Sequence, residues 1–366
     1  MVLKSSSFNG LPASLVDVDM AYFNNKFYAI TASVSGETEN LQLFSSEDGL
    51  RWTEVAYQTE TAGIQLPEGQ DGFVVGGEGA RLQVFNNRLY VLGGVRSKGA
   101  DKYGNPAEAT TDWFGNVVPE LKYWRSCSTE DGVTFRADTL DMVYTRNDVV
   151  TPTSQMAVCY PSPTVLGGKM YLKSGYLFAF GMAQCKSQLI VTENGKDWKS
   201  VSPVDNEGNS VDVTYRLHDA FFSFKGKLWT LGGYGGWITA SNAKNDIYSS
   251  TDGECWTKEG CLSENMAGLA GMKVVCNDKV AYLFGGEFIR EDGVTMNEKI
   301  YRSTDGITWE EVEAPSAFAP RVSPVLVSQG NSAVIFGGYS SPLCGTYGYP
   351  DATAVPVTDT WVKLMK

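Results

Sequence analysis

The chain has 366 residues, 30 basic against 42 acidic side chains for a net charge of −12, 43% hydrophobic residues and a single histidine. It is globular and long enough to bury a large core, but an acidic chain whose cations are scattered offers no footprint for nucleic-acid phosphates or an anionic membrane surface. One histidine excludes every metal centre that needs two imidazoles.

The chain opens on MVLKSSSFNG, without the apolar run of a signal peptide, and no stretch is long and apolar enough for a membrane-spanning helix. From residue 26 onward two strings alternate. The first is an apolar strand that usually ends in two glycines, and the second is a small hydroxyl residue, any residue, Asp or Asn, Gly, two residues and an aromatic. In chain order, Lys26-Phe-Tyr28-Ala-Ile-Thr-Ala precedes Ser46-Glu-Asp48-Gly49-Leu-Arg-Trp52, and Arg88-Leu-Tyr90-Val-Leu-Gly-Gly94 precedes Thr129-Glu-Asp131-Gly132-Val-Thr-Phe135. Lys169-Met-Tyr171-Leu-Lys-Ser-Gly175 then leads to Thr192-Glu-Asn194-Gly195-Lys-Asp-Trp198, and Lys227-Leu-Trp229-Thr-Leu-Gly-Gly233 to Ser250-Thr-Asp252-Gly253-Glu-Cys-Trp256. Val280-Ala-Tyr282-Leu-Phe-Gly-Gly286 leads to Ser303-Thr-Asp305-Gly306-Ile-Thr-Trp309, and a sixth apolar string, Ser332-Ala-Val334-Ile-Phe-Gly-Gly338, is followed only by Asp359-Thr-Trp361-Val.

The spacing shows that this is one repeat. From the reference residue of the first string to the Asp or Asn of the second, the separations are 20 (28 to 48), 41 (90 to 131) and then 23 three times (171 to 194, 229 to 252, 282 to 305). The long value is the same unit with an insertion in the polar stretch 97–120. Each unit reads as four short strands, with the Asp-Gly turn joining the third to the fourth, because Gly supplies positive φ and Asp bonds the backbone beyond it. The turn carboxylates are therefore structural, and the hydroxyl and aromatic residues are expected to fasten each hairpin to its neighbour. Such a unit cannot bury both sheet faces alone, so the units pack around an axis.

The Gly-Gly strands resemble kelch repeats, and the Ser-x-Asp-Gly-x-x-Trp turns resemble a shortened Asp-box. Together they cover almost the whole chain, which is similar to kelch-like propeller domains of exported bacterial proteins, a family without an assigned activity. The resemblance implies an all-β fold, a six-bladed β-propeller of four-stranded antiparallel blades in one domain, 1–366. Residues 1–8 are expected to supply the missing outer strand of the last blade. An extracytoplasmic location follows from the resemblance alone. The seven cysteines are odd in number and lack a C-x-x-C pair, so they read as buried thiols, with no bridge expected between Cys255 and Cys261.

In propellers of this kind the loops after the Gly-Gly strand and those leading into the inner strand share the face around the channel mouth. Here these loops carry aromatic residues, among them Trp113, Tyr234, Trp237 and Tyr347. Exposed rings beside polar groups suit neutral or amino sugars; the alternative is that they pack their own loops. Thirteen residues before the reference positions 229 and 334 lie Arg216 and Arg321, while the other units have Leu15, Gly77, Val158 and Leu269 there. Near that level are Asp17, Asp19, Glu78, Arg81, Tyr160, His218 and Asp219. Two guanidiniums at one mouth suit an acidic sugar, unless each pairs with a nearby carboxylate. His218 beside Asp219 has the form of an oriented base, or of a structural donor. Asp205-Asn-Glu207-Gly-Asn209 lacks the spacing of a calcium hand, so neither metal nor cofactor is expected.

The reading is a non-enzymatic, monomeric binding propeller that recognises a glycan or protein through this face. The alternative is a carbohydrate-active enzyme, a sugar epimerase or mutarotase or a sialidase-like hydrolase, at the same mouth. Copper radical oxidases of this architecture need two histidines. The Arg-Ile-Pro string of sialidases is missing, with Ala319-Pro-Arg321-Val-Ser-Pro324 in the last unit instead.

Overall fold

The computed structural model describes residues 1–11, 16–32, 41–60, 79–93, 95–96, 109–111, 117–119, 121–123, 126–139, 143–146, 149–150, 161–174, 178–179, 182–183, 188–235, 238–342 and 355–366. The fourth repeat shows how the sequence makes a blade. Ala220–Phe224 alternates buried and half-buried side chains, the mark of a strand with one face in a core. Lys225 and Gly226, at φ 50° and 72°, turn the chain tightly enough for Phe222 to face Trp229 in the strand Lys227–Leu231. Asp246–Ser250 and Thr257–Cys261 follow as the third and fourth strands, in simple sequence order across the sheet.

The same order recurs six times, and the fold is a six-bladed β-propeller. Blade 1 is Val16–Phe23, Lys26–Ala32, Leu41–Ser46 and Thr53–Glu54; blade 2 is Arg81–Phe85, Arg88–Leu92, Ser126–Thr129 and Thr134–Thr139. Blade 3 is Ser162–Leu166, Lys169–Ser174, Gln188–Thr192 and Lys199–Val201, and blade 5 is Leu269–Cys276, Ala281–Arg290, Ile300–Ser303 and Glu310–Val312. Blade 6 takes Val325–Gln329, Ser332–Phe336 and Thr360–Leu364 from the end of the chain and Val2–Ser5 from its start, with Val2 opposite Val362 and Leu3 opposite Trp361. The N-terminal strand thus completes the last blade. Within the insertion, Ala109–Thr111 pairs with Val117–Pro119; just past it, Leu121–Tyr123 pairs with Val95–Arg96 and Val143–Arg146. The polar stretch expected to be loop therefore contains strands of its own. Among the described residues the helical elements are two short 3₁₀ turns, Ala240–Asn242 and Glu264–Met266, and no helix is long and apolar enough to cross a membrane.

The described chain divides into two compact units, one of Met1–Asn9, Thr164–Gly167 and Val201–Lys366, the other of Gly10–Pro163 and Gly168–Ser200. In each, cores form between successive blades. In the first unit Phe222, Trp229, Leu231 and Ile247 of blade 4 bury against Leu269, Met272, Leu283 and Tyr301 of blade 5; in the second, Tyr28 and Ile30 of blade 1 join Leu82, Leu89 and Phe135 of blade 2.

The five Asp/Asn-Gly turns share one hydrogen-bond plan. In the fourth, Ser250 Oγ accepts the Gly253 amide at 2.8 Å and donates to Asp252 Oδ1, which in turn accepts the amides of Glu254 and Cys255 at 2.8 and 2.9 Å. Ser46/Asp48, Thr129/Asp131, Thr192/Asn194 and Ser303/Asp305 repeat it. The hydroxyl therefore works inside its own turn, contrary to the expectation that it fastens the hairpin to a neighbouring blade. The glycine makes that contact instead. A Cβ on Gly132 would stand 2.1 Å from the Tyr28 hydroxyl, one on Gly195 2.0 Å from that of Tyr90, and one on Gly306 2.8 Å from the Trp229 ring. Each of these three turn glycines thus lies against the reference aromatic of the preceding blade. Asn24 and Asn86, in the positive-φ turns of blades 1 and 2, donate to the Glu130 and Glu193 carbonyls of the following turn. The turn aromatic also reaches back, with Trp309 packing edge-on against Phe222 at 6.4 Å.

Outer edges are covered by the connections between blades. The segment leaving blade 1 forms a parallel strand, Gln58–Glu60, beside Thr134–Thr139 of blade 2, and the segment leaving blade 3 bridges Val204 to Cys255 in parallel on blade 4.

Two predictions follow from the turns. Gly306→Ala forces a methyl into the Trp229 ring, whereas Gly208→Ala, at φ 85° with nothing within 4 Å, meets only the backbone preference. Denaturant unfolding should show G306A to be less stable than G208A by about 1–3 kcal/mol. The Asp48 carboxyl is held below the usual range chiefly by the Arg51 amide. Those of Asp131, Asp252 and Asp305 are pushed up by desolvation but carried below it by two backbone amides and the turn hydroxyl. A depressed folded-state pKa gives stability that is present above the unfolded carboxylate range near pH 4 and lost as pH falls through the folded value. Asp305→Asn, which copies the arrangement at Asn194, should keep the turn and flatten the loss of stability as pH falls below the unfolded carboxylate range near pH 4.

Candidate functional site

The first unit contains blades 4, 5 and 6, and its best-defined polar rim lies where their second strands end in Gly-Gly. Immediately after each pair the chain bridges back to the start of its own first strand, Tyr234 to Leu217, Glu287 to Ala270 and Tyr339 to Val322. The glycine pair lets that end touch the next blade: the Gly233 amide donates to the Leu269 carbonyl and that of Gly286 to the Arg321 carbonyl, both at 2.8 Å.

One step further along the first strands, eleven residues before references 229, 282 and 334, stand His218, Gly271 and Ser323. Their backbones form a relay around the rim, the Gly271 amide donating to the His218 carbonyl and the Ser323 amide to the Gly271 carbonyl, each at 2.7 Å. To do so all three take left-handed backbone, at φ 56°, 68° and 49°. Glycine adopts that conformation freely, while a residue with a Cβ gives up about 1 kcal/mol. Blade 5 meets the requirement with glycine, whereas blades 4 and 6 hold an imidazole and a hydroxyl there.

The His218 ring lies parallel to that of Tyr234, 5.8 Å between centroids and 7° between planes, and Tyr234 is buried beneath it. Glu287 is fully buried, and a Cβ at Gly271 would stand 3.8 Å from Glu287 Oε1 and 3.9 Å from Ser323 Oγ. Carboxylate and hydroxyl thus flank the glycine, with His218, Ser323 and Tyr339 half-exposed around it.

Arg216 and Arg321 stand behind this rim, with side chains 1% and 0% exposed. Arg321 makes a two-pronged pair with Asp359, at 2.5 and 3.1 Å, donates to the carbonyls of Ala319 and Gly337, and lies 4.1 Å over the Phe318 ring. Arg216 donates to the carbonyls of Asp212 and Asp246 and stands 3.9 Å from the Asp246 carboxylate. Burial pushes the Asp246 carboxyl up, but Lys258 and Arg216 together hold it below its ordinary value. Each arginine ties the start of its blade's first strand to the start of the third. The partners occupy matching positions in Asp246-Ile-Tyr248 and Asp359-Thr-Trp361; blade 5, with Leu269 in place of arginine, has Lys299 there.

Of the other sequence-nominated residues, Asp219 is buried and accepts the Thr230 hydroxyl at 2.6 Å. Asp19 accepts the Leu82 amide at 2.7 Å and Arg81 donates to the Ala80 carbonyl at 2.8 Å, both in the second unit. Glu78, Trp113, Tyr160, Trp237 and Tyr347 lie outside the described residues, and Asp17 is described by its backbone alone. The Asp205 loop closes on itself, its carboxylate accepting the Glu207 and Asn209 amides and the Asn209 side chain. Cys127 is buried as expected, but Cys255 and Cys276 are half-buried and Cys261 is exposed, and burial pushes the Cys276 thiol up to about 11. The sequence reading passed over Glu287, Ser323 and Tyr339, although counting eleven rather than thirteen residues back finds His218, Gly271 and Ser323 together.

No family model matches the chain, and no curated protein matches it. Among solved structures it is similar to one described as "Structure of YjhT", with a TM-score of 0.55 and 14% identity over 98% of this chain and 99% of that one. A likeness at that identity carries the propeller fold over the full length and nothing of the activity.

Asp359→Ala strands a buried guanidinium and should cost about 3–5 kcal/mol of unfolding free energy. The corresponding Asp246→Ala, whose arginine leans mainly on carbonyls, should cost less under the same denaturant titration.

Proposed function

We propose that the protein is a binding propeller whose ligand, a glycan, seats on the rim of blades 4 to 6 at His218 and Ser323, with Glu287 and Tyr339 beside them. The carrying observation is the left-handed backbone at His218 and Ser323. The relay that imposes it needs only backbone atoms, and Gly271 satisfies it without a side chain. An imidazole and a hydroxyl kept at conformational cost on a half-exposed rim are side chains kept for use. The His218 ring, stacked on buried Tyr234, offers a flat surface, and the half-exposed Ser323 and Tyr339 hydroxyls nearby suit the hydroxyls of a sugar.

A binding role is favoured over a catalytic one because the two arginines that an acidic-sugar enzyme would use are committed to Asp246, Asp359 and backbone carbonyls. The resemblance to exported propellers supports an encounter outside the cytoplasm.

His218→Gly and Ser323→Gly separate fold from function. Each should leave the thermal midpoint unchanged or raised, because glycine is the better residue at that φ. Each should also weaken binding about tenfold or more in a calorimetric screen of neutral, amino and uronic sugars, the loss of one good polar contact. Glycine variants that melt earlier and bind normally would return both side chains to the scaffold.

A further inference from the structure

Blade 4 carries a second aromatic surface outward from His218. Tyr215 is 39% exposed and is the one aromatic among the exposed large apolar side chains of the described residues. Its ring lies against the backbone at Gly235: a Cβ there would stand 3.1 Å from Tyr215 Cδ1 and 3.2 Å from Cε1, so a side chain at that position would press on the ring. The same Cβ would stand 3.1 Å from Lys244 Cε, which places the lysine stem beside the ring. Lys244 is fixed in turn by its backbone amide, which donates to the Gly233 carbonyl at 2.8 Å, and by its ammonium, which donates to Asp212 Oδ2 at 3.0 Å. A flat, partly exposed ring is thus bordered by one cation and one half-exposed carboxylate.

This platform is continuous with the rim already described. Leu217 bridges to Tyr234, the residue stacked under His218, and Tyr234 adjoins Gly235, the residue under Tyr215. Two residues separate Tyr215 from His218, and three Cα–Cα steps bound their α-carbons to within about 11 Å, a span that two or three linked pyranose rings cover. A protein partner would ask for about 800 Å² of surface with an apolar centre, and Tyr215 is the sole exposed large apolar side chain of blade 4 among the described residues. A lone ring flanked by paired polar groups has the chemistry of a sugar subsite: the ring takes the C–H face, while Asp212 and Lys244 take hydroxyls.

We infer that Tyr215 is a second sugar platform, so that the ligand is an oligosaccharide with one residue at His218 and the next over Tyr215. This rests on the binding reading above. The test is calorimetry with an array of mono-, di- and trisaccharides built from neutral, N-acetylamino and uronic sugars, against the wild type, Tyr215→Ala, Tyr215→Phe and His218→Gly. The wild type should bind its best trisaccharide roughly three- to tenfold more tightly than the matching monosaccharide, the factor that one aromatic contact supplies. Y215A should bring that ratio to about one and Y215F should restore it, while H218G weakens every member of the series. A ratio that persists in Y215A overturns the second platform and leaves the reading at His218 standing. Loss of monosaccharide binding in Y215A also overturns it, by placing the ring in the first subsite. Full binding by H218G, or no binding by the wild type to any member, overturns the reading itself and this extension with it. Thermal midpoints equal across the four proteins confirm that binding, not folding, has changed.

Discussion

In every blade pair where the contact is described, a glycine with positive φ at the tip of one blade's Asp/Asn-Gly turn lies against the reference aromatic of the blade before it. Tyr28 meets Gly132, Tyr90 meets Gly195 and Trp229 meets Gly306 at separations that leave no room for a Cβ. The carboxylate or amide before that glycine, and the hydroxyl three residues before it, are best understood as the frame that presents the glycine. They absorb the orphan amides of the turn, so that a bare backbone surface is available to a large ring. The recurrence of Asp-Gly and of the aromatic at fixed spacing is one requirement written twice. It explains why the acidic residues of the turns take no part in the chemistry of the rim.

At the opposite ends of the strands the blades are joined by backbone. The amide relay through His218, Gly271 and Ser323, together with the Gly233 and Gly286 amides, holds blades 4, 5 and 6 in register while asking nothing of side chains. The relay itself asks nothing of the side chains at these positions, and residue identity there varies from blade to blade at a fixed geometry. Imidazole, hydrogen and hydroxymethyl stand at equivalent points of three blades. The arginines show the reverse arrangement: they sit only two residues away along the chain, yet their charge is consumed within their own blade.

The repeat, the four-strand blade and the use of residues 2–5 to complete the sixth blade were all legible in the sequence, because each depends on spacing and on residues with few alternatives, glycine above all. The role of the arginines was half legible. Asp246 and Asp359 stand at matching points of two aligned strings, and blade 5 replaces both members of the pair at once, with Leu269 and Lys299. That concerted change is a contact written within a single chain. The left-handed backbone of His218 was not legible, since nothing in Leu217-His218-Asp219 announces a positive φ; only the glycine at the aligned position of blade 5 hints at it. Tyr215 was hidden for a different reason, because its ring lies against Gly235, twenty residues away in the chain.

The outer strands of these blades are short, from two to six residues, and strand edges of that kind attract other strands. On blades 2 and 4 the chain meets this hazard without any added element, since the segment travelling from the previous blade lies parallel to the edge before turning inward. A connection is usually the most expendable part of a repeat. Here its path carries a second duty, so a change in linker length or composition that spared every blade would still uncover an edge. Such a variant would keep its blades while leaving a strand edge open to pairing.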